Sequence, residues 1–486
     1  MERRILAIIL ILAIGYRFWL WDVFFGWEES DYGNIAMVQG VYQSGFRHYD
    51  MNHMPGYYGL SALFLLIQNN SVVAAKLMST LGGSLSLVGI VLLLKRMAGY
   101  KAAILLVLVL FFQPEFSLYS SSALREPVYS MFIIALLWAM ILRFWWLAGI
   151  AAAMAFLVRF EFPLVLIPIV IVLLFTKGWR AIGKLLIPLV LGIVIWMCYC
   201  LSMYETYAFW AHAATSNIET GLGAEAYNRW DWFQRGMSVV GSLFFTLLPQ
   251  RLGWLIWIGW LLAPFWAQKE SKIWYLLWLS YGLVVVWLGI AFVAQHDADH
   301  NLYWKWMFPL IPILACCGIW MWNCLLVRIA RRYRRYVYAM WVLIIGSTWL
   351  EHGKETKNQL ERSWRLYRPQ IQLAQKIEQE LPINHKVIFD NIPACWINRK
   401  EHEYTMISWF DIPVSPNDPN AFADWLIAED VWGVLWFRED WTQAPKIAPF
   451  LSAGGTWSVG QLHLREVSRE DEYGWIYYQR TNLLER

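Results

Sequence analysis

Residues 72–115 read VVAAKLMSTLGGSLSLVGIVLLLKRMAGYKAAILLVLVLFFQPE, an apolar block over 72–94, a connector carrying Lys95, Arg96 and Lys101, and a second apolar block over 102–115. A helix rises about 1.5 Å per residue, so about 20 apolar residues cross a hydrocarbon layer about 30 Å thick. The stretch therefore predicts two membrane helices joined on the cytoplasmic side, where Lys and Arg collect. The same pattern runs outward in both directions and predicts eleven spans, near 5–21, 72–94, 102–115, 127–143, 145–160, 162–176, 183–201, 250–267, 273–294, 304–325 and 336–350. Composition agrees. Of 486 residues, 58% are hydrophobic and 16% charged, against about 25% charged in soluble domains. Trp19, Trp21, Trp145, Trp146, Trp254 and Trp304 stand at block ends, where amphipathic rings favour the lipid–water boundary.

Sidedness follows from the connectors. With Arg3 and Arg4 inside, the internal connectors hold Lys95, Arg96 and Lys101, then Arg143, then Lys177, Arg180 and Lys184, then Lys269 and Lys272, and last Arg328, Arg331, Arg332, Arg334 and Arg335. The connectors 22–71, 116–126, 202–249 and 295–303 fall outside, and an odd number of spans puts the C-terminal tail outside with them. The bulky stretch Arg17–Trp21 offers no small-residue cleavage site, so the first block reads as an uncleaved helix. Residues 30–44, 55–68 and 236–248 suit surface or re-entrant helices. After residue 350 the composition becomes that of a soluble domain. A helix near 357–381, strands at 386–390 and 432–437, a helix at 420–429 and strand-like pieces at 461–466 and 475–479 predict a small α/β fold over 351–486, following a transmembrane domain over 1–350. No basic stripe suggests nucleic acid, and the six cysteines lack ligand spacing.

Several residues carry chemistry that the fold alone does not demand. Glu28 and Glu29 lie adjacent just outside the first span. They form either a solvated acidic loop or a general base, a role that a sheltered carboxylate with an adjustable pKa can fill. Arg159 and Glu161 interrupt an apolar run, and Arg125 and Glu126 open another. Ionised groups at membrane depth pair with one another or line a wet cavity, so each pair is either a structural ion pair or part of a binding site. Lys305, between Trp304 and Trp306, either snorkels to the interface or meets an anion. The run His296-Asp-Ala-Asp-His300 is either a polar loop, a metal site through its Asp-x-Asp, or the mouth of a binding cavity.

The stretch Gly15-Tyr-Arg-Phe-Trp-Leu-Trp21 followed by Trp27-Glu-Glu-Ser-Asp-Tyr32 resembles the start of the GT-C glycosyltransferases, in their protein O-mannosyltransferase and aminoarabinose-transferase branch. Arg17, Glu28, Glu29 and Tyr32 take the places of the Arg-aromatic pair, the acidic pair and the tyrosine of that family. The departure is Glu28 where the family usually has Asp. Further resemblances follow in order: His53-Met-Pro-Gly-Tyr-Tyr58, Ala75-Lys-Leu-Met-Ser79, Ser122-Ala-Leu-Arg-Glu-Pro127, Leu157-Val-Arg-Phe-Glu161 and Lys305-Trp-Met-Phe-Pro-Leu-Ile-Pro312. They cover residues 5–325.

The resemblance implies a multi-pass membrane glycosyltransferase that uses a polyprenyl-phosphate sugar and inverts the sugar carbon in a single displacement. Glu28 or Glu29 is the expected base. Asp31, Tyr32, His53, Tyr57, Arg125, Arg159, Glu161, His296, Asp299 and Lys305 are the expected substrate-binding residues, with Arg125, Arg159 and Lys305 on the donor phosphate. No cofactor is required, and a divalent metal is the open alternative. The partners are the lipid-linked donor, membrane lipids and a protein, lipid or glycan acceptor, with the active face and tail outside a bacterial cytoplasmic membrane. Two rivals remain at this point. One is a metal-dependent oligosaccharide transferase working from a polyprenyl pyrophosphate. The other is a transporter, against which the acids in the outer loops and the lack of paired half-repeats both weigh, or a scaffold whose tail binds a partner, against which the Glu28–Glu29 pair weighs.

Overall fold

The computed structural model describes residues 1–23, 29–44, 54–67, 70–111, 113–205, 229–267, 271–294, 307–328, 352–361, 385–389, 404–408, 417–437, 448–451, 454–470 and 475–481, with short pieces between them. By internal packing the chain divides into two compact units. One comprises Met1–Phe24, Met37–Leu66 and Val73–Leu360. The other comprises Phe25–Ala36, Ile67–Val72 and Glu361–Arg486.

The first unit is helical. It holds α1 (Glu2–Val23), the second half of α2 (Glu29–Ser44), α3 (Pro55–Leu65), α4 (Ser71–Phe111), α5 (Pro114–Ser121), α6 (Glu126–Ile141), α7 (Trp145–Val158), α8 (Phe162–Thr176) and α9 (Trp179–Tyr204). It continues through α10 (Arg229–Ser242), a π-helical turn at Leu243–Leu247, α11 (Leu248–Leu252), α12 (Trp254–Trp266), α13 (Ser271–Ala294) and α14 (Leu310–Arg328). A last helix, α15, spans 352–361. Among the described residues five helices are long and apolar enough to cross a membrane, and seven if two bent pairs each count as one. The eleven expected spans shrink for physical reasons. The α7 helix and residues 162–175 are apolar but shorter than a perpendicular crossing needs. The expected span 336–350 lies mostly outside the described residues.

The opening stretch behaves as its charges imply. Gly99, at φ +86°, breaks the 41-residue α4 into two arms at the basic connector, a conformation that glycine adopts without a Cβ clash. Asn323 on α14 donates to the Ala98 carbonyl (3.4 Å). The α12 and α14 helices run in the same direction, since Gly318 lies against the Ile256 carbonyl and Arg328 reaches over the Trp266 ring at 4.4 Å. Lys95, Lys101 and Arg328 therefore gather at one end of the bundle. Indole N–H groups tie helices together: Trp138 to the Gly89 carbonyl (2.9 Å), Trp260 to Ser280 Oγ (2.8 Å) and Trp322 to the Leu255 carbonyl (2.7 Å). In hydrocarbon such bonds contribute about 0.6–2 kcal/mol each. The outer faces stay apolar, with Ile8, Ile11 and Leu12 on α1 and Ile187, Val190, Leu191 and Ile195 on α9 all exposed. Such continuous apolar surface fits lipid rather than water. The chain is a multi-pass integral membrane protein.

Two of the short segments expected between spans, 55–68 and 236–248, are largely helical. The α3 helix has 11 residues, too few to cross. Residues 233–252 and 254–266 meet at a 113° bend, centred on Gly253 at φ +83°.

The second unit contains a six-stranded mixed sheet of order β2-β1-β3-β6-β5-β4. Its strands are β1 (His385–Phe389), β2 (Tyr404–Ser408), β3 (Val431–Phe437), β4 (Thr456–Val459), β5 (Leu462–Glu470) and β6 (Trp475–Arg480). β1 pairs in parallel with β2 and β3, and the remaining pairings are antiparallel. A helix, α16 (Pro419–Ala428), starts where Asp418 caps the Asn420 and Ala421 amides and Pro419 fixes the first turn. It packs Phe422, Ala423 and Leu426 on Ile388, Val434, Trp436, Leu464 and Ile476. β2 and β4 are additional to the expected strands, and the expected helix 357–381 is described only to residue 361.

Candidate active site

Three charged residues meet in a buried cluster in the first unit. Pro163 on the far side of a three-residue connection prevents α7 from continuing into α8, so residues 159–161 form a corner, with Arg159 extended. Arg159 Nη1 lies 2.8 Å from Glu126 Oε1, and its Nε donates to Glu161. All three side chains are more than nine-tenths buried. Glu126 sits in the first turn of α6, with Pro127 following, where the helix dipole favours a carboxylate. The Arg159 guanidinium also lies 5.8 Å from the Tyr129 ring centroid, and Tyr129 meets Phe162 edge-on at 5.9 Å.

Arg125 is the looser member. Its Nε lies 3.8 Å from Glu126 Oε1 and its side chain is 26% exposed. Two carboxylates thus face two guanidiniums, but Arg159 alone holds both acids closely. Among the described residues, Glu126 Oε2 and the Tyr129 hydroxyl have no hydrogen-bond partner.

A second set of contacts binds α3 to the same region. A Cβ on Gly56 would lie 2.8 Å from the Leu157 carbonyl oxygen, so only glycine lets the start of α3 seat against the end of α7. Tyr57 donates to the Ala75 carbonyl (3.0 Å) and lies 3.2 Å from Ser79 Oγ. Ser79 in turn donates to the Leu124 carbonyl (2.5 Å), next to Arg125. Gly82 similarly lets α4 approach Pro127, at 2.9 Å from where a Cβ would stand.

Arg17 near the end of α1 is completely buried. Its Nη1 donates to the Ala13 carbonyl (2.8 Å), and its guanidinium lies 4.9 Å from the Phe116 ring centroid. Ser121 Oγ donates to the Arg17 carbonyl (3.1 Å), and Lys76 Nζ to the Trp21 carbonyl (2.6 Å). Arg17 Nε and Nη2 have no partner among the described residues.

The fold therefore brings together Tyr57, Arg125, Arg159 and Glu161, and adds Glu126 and Tyr129. Glu29, Asp31 and Tyr32 fall in the first turn of α2, with side chains outside the described residues, while Glu28, His53, His296, Asp299 and Lys305 lie wholly outside them. Among the described residues no three His, Cys, Asp or Glu side chains group as metal ligands do. Unexpected from the sequence is a further ionic group of Glu115, Arg251 and Glu355. Its one visible signal was an acid at the end of an apolar block.

Residues 52–204 match the family of dolichyl-phosphate-mannose-protein mannosyltransferases. That segment holds Tyr57, Arg125, Glu126, Arg159 and Glu161, but not Glu28 or Glu29. No curated protein matches the chain. Among solved structures, ArnT from Cupriavidus metallidurans bound to undecaprenyl phosphate matches with a TM-score of 0.61 at 12% identity, covering 97% of each chain. The apo form of that protein matches with a TM-score of 0.58 at 14% identity, again over 97% of each chain. At such identities the likeness is one of fold. Residues 52–204 are thus similar in sequence to the dolichyl-phosphate-mannose-protein mannosyltransferases, and the chain shares its fold along nearly its whole length with ArnT.

Proposed function

We propose that the enzyme transfers a sugar from a polyprenyl-phosphate carrier to an acceptor hydroxyl on the extracytoplasmic side, by inverting single displacement. The observation that carries this reading is the division of labour around Glu126. Arg159 is occupied by two buried carboxylates, so its charge is spent within the protein. Arg125, a quarter exposed and only 3.8 Å from its acid, keeps donors available at the start of the 16-residue α6. A helix N-terminus with a partly exposed, loosely paired guanidinium suits a phosphate. ArnT from Cupriavidus metallidurans, which shares the fold, binds undecaprenyl phosphate, and this supports a lipid phosphate as the anion. Lys305 and His53 are the remaining candidates to complete the phosphate site.

In the step itself, the acceptor oxygen bonds to the anomeric carbon as the bond from that carbon to the phosphate oxygen breaks. The bonding pair leaves with the polyprenyl phosphate, and the acceptor proton passes to Glu28 or Glu29. Arg125 offsets the charge that grows on the departing phosphate, and such preorganised charge is the largest catalytic contribution in many enzymes. A leaving group that is already a stable anion needs no general acid. One carboxylate base and several cations suffice, unlike the paired carboxylates of glycoside hydrolases.

Sidedness has independent support. Ser79 touches the candidate site and Ala98 the basic end of the bundle. They are 19 residues apart on the first arm of α4, about 28 Å along a helix, nearly a full hydrocarbon thickness. This separation supports a site at the end of the bundle away from the basic connectors, which the charge pattern assigns to the cytoplasm.

The test is transfer of radiolabelled sugar from a panel of polyprenyl-phosphate donors by purified protein, with and without EDTA. Transfer that survives EDTA and is abolished by Glu28→Gln or Glu29→Gln supports the mechanism and identifies the base. Transfer that EDTA abolishes returns the role to the Asp297–Asp299 loop and overturns the metal-free step.

A further inference from the structure

The helix α9 turns one face toward the protein and one away from it. Ile182, Leu185, Leu189, Gly192 and Trp196 are buried. The opposite face runs Arg180, Lys184, Ile187, Leu191 and Ile195, all exposed and spaced three or four residues apart. Residues at that spacing stand one above another on a helix. A single stripe therefore begins with two cations and continues as apolar side chains. Lys177, Phe175 and Trp179, at the connection from α8, are exposed as well.

Packing fixes where this stripe begins. A Cβ on Gly149 would lie 2.8 Å from the Lys184 carbonyl oxygen and 2.7 Å from that of Leu185, and one on Gly192 would lie 3.3 Å from Ala153 Cβ. The helices α7 and α9 thus run side by side in the same direction. Because α7 ends against Gly56 through Leu157, beside the candidate active site, both helices start at the far end of the bundle. Arg143, exposed in the connector before α7, lies at that end too. No acid stands in the first turn of α9, and Lys177, Arg180 and Lys184 have no ion-pair partner among the described residues. Other cations lean on rings: Lys95 Nζ is 4.8 Å from the Tyr100 centroid, and the Arg328 guanidinium 4.4 Å from that of Trp266. Like charges four residues apart on a helix face repel. The retention of Lys and Arg in the cytoplasm accounts for the side on which these charges lie. It does not account for their alignment with a lipid-facing stripe, or for two repelling neighbours left without an acid.

The combination selects the ligand. A free phosphate would meet the cations and leave the apolar stripe unused, while an acidic protein or a nucleic acid would not enter hydrocarbon beside Ile187. A phospholipid matches both parts. We propose that Lys177, Arg180 and Lys184 hold the phosphate of an anionic phospholipid, whose acyl chains lie along Ile187, Leu191 and Ile195. Arg180 offers the fork that suits a phosphate. Lys184 lays its stem on the apolar face and carries its ammonium back toward Arg180 at the boundary. Phe175 and Trp179 flank the headgroup, at the depth where aromatic rings favour a bilayer. A zwitterionic lipid also has a phosphate, but its own cation is repelled by three positive side chains. The site stands apart from the proposed polyprenyl-phosphate site at the other end of the bundle, and it does not depend on the transfer reaction.

Native mass spectrometry and thermal unfolding of the detergent-solubilised full chain test the site without turnover. The probes are phosphatidylglycerol, phosphatidylcholine with the same acyl chains, water-soluble glycerophosphoglycerol and inorganic phosphate. Phosphatidylglycerol is expected to bind more tightly than the other three and to raise the melting temperature. A cation near a charged membrane surface contributes about a fivefold gain, so Arg180→Gln combined with Lys184→Gln should weaken phosphatidylglycerol about thirtyfold. The charge-keeping exchange, Arg180→Lys with Lys184→Arg, should stay within about threefold of wild type. So should Arg96→Gln with Arg328→Gln, which removes two exposed cations elsewhere on the bundle. Melting temperatures measured without lipid should be unchanged in all three, certifying the fold. Equal affinity for phosphatidylcholine, or for glycerophosphoglycerol or phosphate, overturns the lipid assignment. An equal loss in the Arg96 and Arg328 variant overturns the site, since it would mean diffuse surface charge.

Discussion

Two ionic clusters in the first unit each pair one arginine with two carboxylates, with different degrees of closure. Around Arg159 the acids are Glu126 and Glu161, all three side chains are buried, and the guanidinium is shared at close range. Around Arg251 the acids are Glu115 and Glu355, the cation is partly open, and one of its two separations stretches to 3.9 Å. A closed cluster resists change because removing one charge strands the others in low dielectric. An open one can exchange a protein partner for a ligand with little loss. The contrast separates a rigid foundation from a cluster that can rearrange. Arg125, next to the closed cluster but not enclosed by it, shares the open character.

The strongest way to break this contrast is to remove each central arginine. Arg159→Met leaves Glu126 and Glu161 buried without a cation, and a broken buried pair costs about 3–5 kcal/mol. We expect a large fall in the melting temperature in detergent and loss of transfer. Arg251→Met should cost less, about 1–3 kcal/mol, because Gln113 still donates to Glu115 and Glu355 can turn to water. Equal losses in the two variants would remove the distinction.

Protonation supplies a second, slightly smaller test. His352 has its pKa lowered to about 4 in the folded chain, against about 6.5 when unfolded. Between those values the unfolded chain binds more protons, so stability is complete above pH 6.5 and declines as pH falls toward 4. The full effect is up to about 3 kcal/mol. Thermal unfolding from pH 7.5 to 4.5 should show this decline in wild type, and His352→Asn should flatten it. An unchanged slope in the variant would mean that burial does not hold His352 neutral in the folded chain.

The two clusters also differ in how far they could be read from sequence. Arg159 and Glu161 stand out because both charges fall within four residues of apolar chain on either side, where an ionised group needs a partner. Glu126 follows Arg125 and precedes a proline, so its place at the start of a helix is local information as well. That Arg159 would choose Glu126 over a phosphate is not local, since the two meet only through the packing of α6 and the α7–α8 corner. Glu115 ends an apolar block and resembles an ordinary boundary acid. Its partners come from α11 and α15, and no spacing links them. The same reasoning explains the elements. Connectors with Lys and Arg mark turns such as the break at Gly99, and the alternation in the tail marks most of its strands. Span number was less legible, because short apolar helices such as α7 and bent pairs around Gly253 carry the composition of a crossing without its length.

On the donor side, Arg125→Ala should leave the melting temperature near that of wild type, since a partly exposed pair at 3.8 Å contributes about 0–1 kcal/mol. Its effect should fall on the reaction. Loss of one phosphate contact is expected to cost about 1.5–3 kcal/mol, read as a tenfold or greater drop in kcat/KM for the donor. Arg125→Lys should recover part of it, keeping the charge but losing the fork. A drop in stability with unchanged donor kinetics would move Arg125 into the closed cluster.

The smallest expected effect probes the hydroxyl that ties α3 to α4. Tyr57 is fully buried, and its hydroxyl meets both the Ala75 carbonyl and Ser79, which itself holds the Leu124 carbonyl beside Arg125. Tyr57→Phe keeps the ring, including its edge-on packing against Tyr58 at 5.2 Å, and removes only the hydroxyl. A net hydrogen bond of this kind contributes about 0.5–1.5 kcal/mol. If Tyr57 serves only to fasten two helices, stability should fall by that amount with donor kinetics unchanged. If it instead sets the position of Arg125 through Ser79, KM for the donor should rise in Tyr57→Phe and in Ser79→Ala. Combining either variant with Arg125→Ala should then add nothing further. Such a double-mutant cycle reads the coupling directly, and strict additivity would mean that the chain of bonds from Tyr57 to Leu124 ends at the backbone.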